Sequence, residues 1–157
     1  MNDKKYIITG NLNCIKVYDY NKNELYKKYY DKDNDNNCHF VAIINKIEES
    51  VNIIESCDDG NIRIWDFFSG ELIKKIKVNE GTLYGMCLWN QNYLFVGCSN
   101  KNMRLIDLDE GKIKDLELEG HNNEILTIKK IELYQYGPCL ISQGLGNDQI
   151  KLWTKKN

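Results

Sequence analysis

Short apolar runs, many of them alternating with polar residues, recur along the whole chain and are separated by turns rich in Gly, Asn and Asp. Alternation with a period of two is typical of β-strands, and tips such as DDGN (58–61), SNKN (99–102) and GLGND (144–148) are typical of tight turns between antiparallel strands. No segment of about ten residues keeps the 3.6-residue period of a helix. The pattern therefore predicts an all-β protein.

One segment of this pattern occurs four times, as CIKVYDY (14–20), NIRIWDF (61–67), NMRLIDL (102–108) and QIKLWTK (149–155). Each copy has one large apolar anchor, and the anchors are Tyr18, Trp65, Ile106 and Trp153. A basic residue stands two positions before each anchor: Lys16, Arg63, Arg104 and Lys151. Because further apolar runs lie before and after every copy, we expect four antiparallel strands in each repeat.

Four-stranded units of roughly 40–45 residues, with a Trp-Asp pair closing the third strand, are similar to those of the WD-repeat β-propeller family. The strongest copies are SCDDGNIRIWD (56–66) and the stretch from His121 to Trp153, and the resemblance covers essentially the whole chain. It implies an all-β, single partial propeller of about four antiparallel blades in an incomplete ring. The blades are expected at about 1–35, 36–78, 79–119 and 120–157.

The resemblance also implies a buried polar network that holds each blade, from a loop His through a strand Ser or Thr and a turn Asp to the anchor Trp. The last blade has a nearly complete set: His121, Ser142, Asp148 (or Asn147) and Trp153. In the second blade only half of such a network is expected, from Asp59 and Trp65. The blades before the last depart from the pattern: Glu55 in the second and Val96 in the third stand at the Ser position, and Ile106 in the third stands at the Trp position.

His121, Ser142 and Asp148 are also the residue types of a hydrolytic triad. Neither a GxSxG elbow nor a Gly-rich oxyanion loop accompanies them. We therefore expect a protein that is not an enzyme and has no catalytic residue. A small hydrolase built on these three residues is kept as an alternative.

The acidic segment DKDNDNN (31–37) places Asp31, Asp33 and Asp35 at alternate positions, as in the first half of a calcium loop. The sixth position is Asn36 instead of Gly, and the twelfth is Ala42 instead of Glu.

The six cysteines contain no CxxC pair, which argues against a zinc site. We expect no metal and no cofactor. Cys57 and Cys98, at equivalent repeat positions, are expected to be free thiols on buried strands.

Composition adds little to this picture. The chain has 157 residues, of which 42% are hydrophobic and 28% charged, and its net charge is −2. These values indicate a globular domain without the strong positive field that would attract nucleic acid or a membrane surface. No secretion signal and no run of about 18 apolar residues is present, so we expect an intracellular protein, in the cytoplasm or the nucleus.

The resemblance implies a non-catalytic scaffold or adaptor that binds protein partners of unknown identity on its loop faces. A propeller that binds RNA or histones is the alternative. The candidate contacts are aromatic residues near strand ends and loops, about half of which should pack inside the blades. They are Tyr29, Tyr30, Tyr84, Trp89, Tyr134 and Tyr136.

About fourteen strands can be counted, with the first copy lacking its innermost strand and the last copy lacking its outermost strand. A blade buries its faces against neighbouring blades, so an open arc would leave an apolar face at each end. We expect the ring to be completed by further repeats before Met1, by a second copy in a homodimer, or by another chain.

Overall fold

The computed structural model describes residues 4–32, 39–47, 49–78, 81–118, 120–147 and 149–154. In these ranges the chain forms fourteen strands and no helix. The prediction of an all-β fold with about fourteen strands is confirmed. Nothing in the described part of the chain is a helix long and apolar enough to span a lipid bilayer.

The strands form four separate antiparallel sheets in which each strand pairs with its neighbour in the chain. The first sheet contains β1 (Tyr6–Asn11), β2 (Cys14–Asp19) and β3 (Glu24–Tyr29). The second contains β4 (His39–Ile47), β5 (Ser50–Cys57), β6 (Asn61–Asp66) and β7 (Leu72–Lys77). The third contains β8 (Leu83–Leu88), β9 (Tyr93–Cys98), β10 (Met103–Asp107) and β11 (Lys112–Leu118). The last contains β12 (Ile125–Leu133), β13 (Gly137–Gly144) and β14 (Lys151–Trp153).

Each sheet lies inside one of the four predicted ranges, while the blade limits themselves stay a prediction.

The tip between β5 and β6 shows why the chain turns where it does. Gly60 has a φ of +74°, which favours glycine, and the Asp59 carboxylate accepts a hydrogen bond from the backbone N–H of Asn61 at 3.0 Å. Pro138, which the sequence placed in a loop, instead lies in β13 opposite Glu132, beyond the residues that β14 pairs.

The core consists of three apolar layers, each shared by two consecutive sheets. Ile15 and Val17 of the first sheet pack with Ile53 and Trp65 of the second. A second layer joins the second and third sheets, and a third joins the third and last sheets. Each sheet is therefore stabilised mainly by its neighbours.

Cys57 and Cys98 end β5 and β9, and both are fully buried free thiols. The predicted equivalence of these two strand positions is confirmed. Asp33 and Asp35, which were compared with calcium ligands and not predicted to bind metal, lie outside the described residues, as does Cys38.

The two sheets at the ends of the row each expose apolar side chains. Ile7 and Leu25 both pair with Tyr18 in the first sheet, and they are 48% and 46% exposed. Leu152 on β14 is 49% exposed, and Ile150 just before it is 63% exposed. The described part of the chain therefore exposes apolar surface at both ends of the arc.

Candidate functional site

Three of the four predicted network residues of the last sheet meet at one hydroxyl group. Trp153 donates its indole N–H to Ser142 Oγ at 2.8 Å, and His121 Nε2 lies 2.7 Å from the same oxygen. The direction of the His121 bond depends on the imidazole tautomer. Asp148, the fourth residue of the predicted set, lies outside the described residues. The structural role of this network stays a prediction.

The surroundings of Ser142 bear on the hydrolase alternative. Ser142 is 2% exposed and His121 is 6% exposed. A nucleophilic hydroxyl must reach a substrate carbonyl, but this oxygen already contacts the indole and the imidazole on a buried face. The arrangement is better suited to joining β13, β14 and the segment before β12 than to attacking a substrate.

The predicted half network of the second sheet is not formed. The Asp59 carboxylate contacts Arg63 Nη2 at 2.5 Å and the side-chain amide of Asn61 at 2.7 Å, instead of Trp65. Trp65 is 2% exposed, and its indole N–H has no hydrogen-bond partner among the described residues. The physical reason is the fully buried Arg63, whose guanidinium takes the carboxylate that Trp65 was expected to share.

Arg63 is the centre of a group of five charged residues, which we call the ion cluster. Its members are Asp31, Glu55, Asp59, Arg63 and Lys75. Arg63 Nε donates to Asp31 Oδ2 at 3.0 Å, and Lys75 Nζ contacts the same oxygen at 2.8 Å. Glu55 Oε1 lies 3.8 Å from Arg63 Nη1. Because Asp31 follows the first sheet and Arg63 belongs to the second, the ion cluster ties two sheets together.

The pKa values follow from these contacts. Burial alone would lower the pKa of Arg63, but its hydrogen bonds to Asp59 and Asp31 outweigh burial and raise the pKa. Burial would likewise raise the pKa of Asp59, but the hydrogen bonds from Arg63 and Asn61 hold it below its usual range. These two shifts favour the charged forms of Arg63 and Asp59 in the folded protein.

From the sequence, Arg63 was one of four basic residues at equivalent repeat positions, and none of its acidic partners was predicted. Asp31 was compared with a calcium ligand and rejected as one, and its carboxylate contacts Arg63 and Lys75. The signal that was available in the sequence is Glu55 in the run NIIESC (52–57), because a carboxylate in a buried strand requires a cation nearby.

An open groove of about 550 Å³ lies between the first and second sheets, and we call it the aromatic groove. It lies at the end of the sheets that carries the β2–β3, β4–β5 and β6–β7 turns. Phe67 is its centre, with ring centroids 5.1 Å from Tyr6, 5.6 Å from Tyr26 and 5.3 Å from Phe68. Phe68 is 57% exposed and Tyr26 is 37% exposed. The lining residues are Lys4, Tyr6, Ile8, Tyr26, Ile44, Val51, Phe67 and Phe68.

The aromatic residues that the sequence named as contacts divide as follows. Tyr29 is fully buried and donates its hydroxyl to the Phe67 carbonyl at 2.6 Å. Tyr84 and Trp89 are half-buried, and the exposed ones are Tyr30, Tyr134 and Tyr136. The aromatic groove was not predicted from the sequence, although the two adjacent aromatic residues after Asp66, Phe67 and Phe68, indicated an apolar site there.

The chain superposes on the WD40 β-propeller domain of Doa1 with a TM-score of 0.77 over 99% of its length. The fold is that of a WD40 β-propeller. The two sequences are 17% identical, and the match spans 48% of the Doa1 chain, so this chain corresponds to about half of that domain's chain. The four sheets are blades of this propeller fold, and the aromatic groove lies between the first and second blades.

The sequence matches no family model. It is similar to the U3 small nucleolar RNA-associated protein 21 homolog of Schizosaccharomyces pombe, with 26% identity over 95 residues. This match covers 60% of the present chain and 10% of that protein. The chain therefore spans only a small part of the length of this curated relative.

Proposed function

We propose that this chain is a non-catalytic scaffold that binds protein partners through its propeller surface. The observation that carries the proposal is the aromatic groove, in which Tyr26 and Phe68 are exposed around the buried ring of Phe67. Exposed aromatic side chains around an apolar depression are typical anchors of protein interfaces. The WD40 fold supports the same reading, because its blades present loops and grooves without requiring catalytic groups.

Affinity purification of the protein from its own cells, with mass spectrometry, tests the proposal. We expect at least one protein that co-purifies with the unmodified chain to be lost with Phe68→Ser. The matched control is Tyr134→Ser, which removes a fully exposed aromatic ring outside the groove. Recovery of the same proteins with all three chains would contradict a role for the groove in the scaffold.

The hydrolase alternative makes the opposite prediction for His121. If His121 activates Ser142, His121→Ala abolishes ester hydrolysis and leaves the melting temperature unchanged. If the three residues hold the last blade together, His121→Ala lowers the melting temperature and there is no hydrolysis to lose. A p-nitrophenyl ester assay and thermal unfolding of both chains decide between the two.

A role in a ribonucleoprotein assembly is the second candidate. The similarity to a U3 small nucleolar RNA-associated protein favours it. Direct RNA contact would make the affinity fall steeply with salt, because bound phosphates release counterions. RNA binding that is absent at physiological salt would leave only protein contacts within such an assembly.

We also propose how the propeller ring is completed and where in the cell the protein lies. The exposed apolar residues of the first and last blades support completion of the ring by further repeats, by a second copy or by another chain. An intracellular location, in the cytoplasm or the nucleus, is part of the same proposal.

A further inference from the structure

The aromatic groove is continuous with a second groove. Ile44, on β4, lines both of them and is 42% exposed. The second groove has a volume of about 540 Å³ and follows the first strands β4, β8 and β12 of three blades, and we call it the inner groove. Its lining residues are Ile44, Met86, Cys87, Leu88, Ile128, Lys129 and Lys130. Together the two grooves form one surface on which an extended segment can lie.

The charge of this surface differs from that of the whole chain. Three lysines line the two grooves, Lys4, Lys129 and Lys130, and no Asp or Glu is among the described lining residues. The chain as a whole carries a net charge of −2. The lining of the joined grooves is therefore apolar and carries three positive charges on a slightly acidic protein, and one of these lysines, Lys130, also donates to the Trp89 carbonyl at 2.9 Å.

Two carboxylates belong to residues that lie close in the sequence to residues of the aromatic groove. Each accepts hydrogen bonds from backbone N–H groups of its own turn. Asp66 Oδ1 accepts hydrogen bonds from the backbone N–H groups of Phe68 at 3.0 Å and Ser69 at 2.6 Å. Asp19 Oδ1 accepts those of Asn21 at 3.0 Å and Lys22 at 3.1 Å. A carboxylate that accepts hydrogen bonds from two backbone donors is held within its turn.

We propose that the joined grooves bind an extended, acidic segment of a partner protein that carries an aromatic or large aliphatic anchor. The anchor packs against Phe68 and Tyr26, and the flanking carboxylates lie near Lys4 and Lys129. The inference rests on the proposed scaffold function and names the chemistry of its partner. Apolar burial supplies most of the affinity, while the lysines select for acidic sequence and increase the association rate.

Fluorescence anisotropy with defined peptides tests this inference on the full chain. The probe is a short fluorescein-labelled peptide in which Leu-Phe is flanked on both sides by Glu-Glu. We expect it to bind at least tenfold more tightly than a peptide with Lys-Lys flanks or one with Ser-Ser in place of Leu-Phe. We also expect its affinity to fall as salt is raised from about 50 to 500 mM, because surface charges are screened.

All the substitutions are made at exposed positions, so that their effect on binding can be measured without unfolding the protein. Phe68→Ser and Lys4→Glu are each expected to weaken binding of the acidic probe about tenfold. Tyr134→Ser and Lys101→Glu, which change exposed side chains outside both grooves, are the matched controls and should leave binding unchanged. Circular dichroism of each variant checks that the β structure is kept.

Three results of the binding experiments would overturn the inference. They are no binding of the acidic probe at about 1 mM, equal binding of the acidic and basic probes, or equal effects of the groove variants and their controls. A change of oligomeric state in Phe68→Ser would also overturn it, because the groove would then be a contact between copies of the chain. If partners still co-purify with Phe68→Ser after any of these results, the scaffold function stands and only this assignment of its surface is wrong.

Discussion

At the scale of single residues, the Ser142 hydroxyl is the predicted centre of the hydrogen bonds that stabilise the last blade. Ser142→Ala leaves the Trp153 indole N–H and the His121 imidazole without their shared partner on a buried face. We expect the free energy of unfolding to fall by about 1–3 kcal/mol, since unsatisfied buried polar groups are destabilising. Urea denaturation followed by Trp fluorescence measures the change.

The neighbouring residue provides the control for this experiment. Gln143→Ala changes the next position of β13, whose side chain is exposed. Its effect should stay within about 0.5 kcal/mol, as for most surface substitutions. Equal effects of the two substitutions would show that the hydroxyl does not hold the blade.

Cys57 offers a second test at this scale. Burial is the main cause that raises the pKa of its thiol to about 12. At pH 8 only roughly one thiol in ten thousand would then be the reactive thiolate. We expect iodoacetamide to alkylate Cys57 at least about 100-fold more slowly than the half-buried Cys14, as measured by peptide mass mapping. In urea the two rates should become similar, and similar rates in the folded protein would contradict this burial.

At the scale of structural elements, the ion cluster joins the first and second blades and gives the fold a dependence on pH. A carboxyl group whose pKa is lowered by folding stabilises the fold above its unfolded pKa of about 3.9. That contribution is lost as the pH falls through the lowered value. Asp59, whose pKa is held down mainly by Arg63 and Asn61, belongs to this class.

Asp59→Asn tests this contribution because it keeps the shape of the side chain and removes its charge. We expect it to lower the free energy of unfolding by about 1–3 kcal/mol at pH 7, and the difference from the unmodified chain should shrink below about pH 4. Denaturation curves between about pH 3 and 7 check this. Asp115→Asn, at an exposed position of β11, should show neither effect.

Some of these structural elements could be predicted from the sequence, and others could not. Strands and turns were predictable because alternation, Gly60 and the Asp-rich tips act over a few residues. The meeting of His121, Ser142 and Trp153 was implied by the resemblance to the WD-repeat family. The ion cluster was missed because Asp31 precedes Arg63 by 32 residues, and no local pattern connects them. The aromatic groove was missed for a similar reason, since Tyr6 and Phe68 converge from different blades.

At the scale of the whole molecule, the exposed apolar residues of the first and last blades predict self-association of the isolated chain. Light scattering should give a mass above 18.4 kDa that rises with concentration. Leu25→Lys combined with Leu152→Lys should bring the mass back toward the monomer, because a lysine on an apolar blade face opposes contact with another blade.

Phe68→Ser is the control for that experiment, since it removes an exposed apolar side chain that lies away from the end faces. A monomer at all concentrations, with cooperative unfolding, would contradict the prediction of association. The overall architecture of four blades was accessible from the repeat alone. The cover of the end faces could not be predicted in the same way, because an exposed apolar side chain shows that a face needs a partner and does not define the partner's surface.

The contact between Asp31 and Arg63 also bears on the order in which the protein is assembled during synthesis. Asp31 leaves the ribosome 32 residues before Arg63, its buried partner. The connection after the first blade therefore gains this anchor only once β6 has emerged and its hairpin with β5 has formed. Until then Asp31 stays hydrated, and the first two blades are expected to become one cooperative unit at that moment, before the later blades are complete.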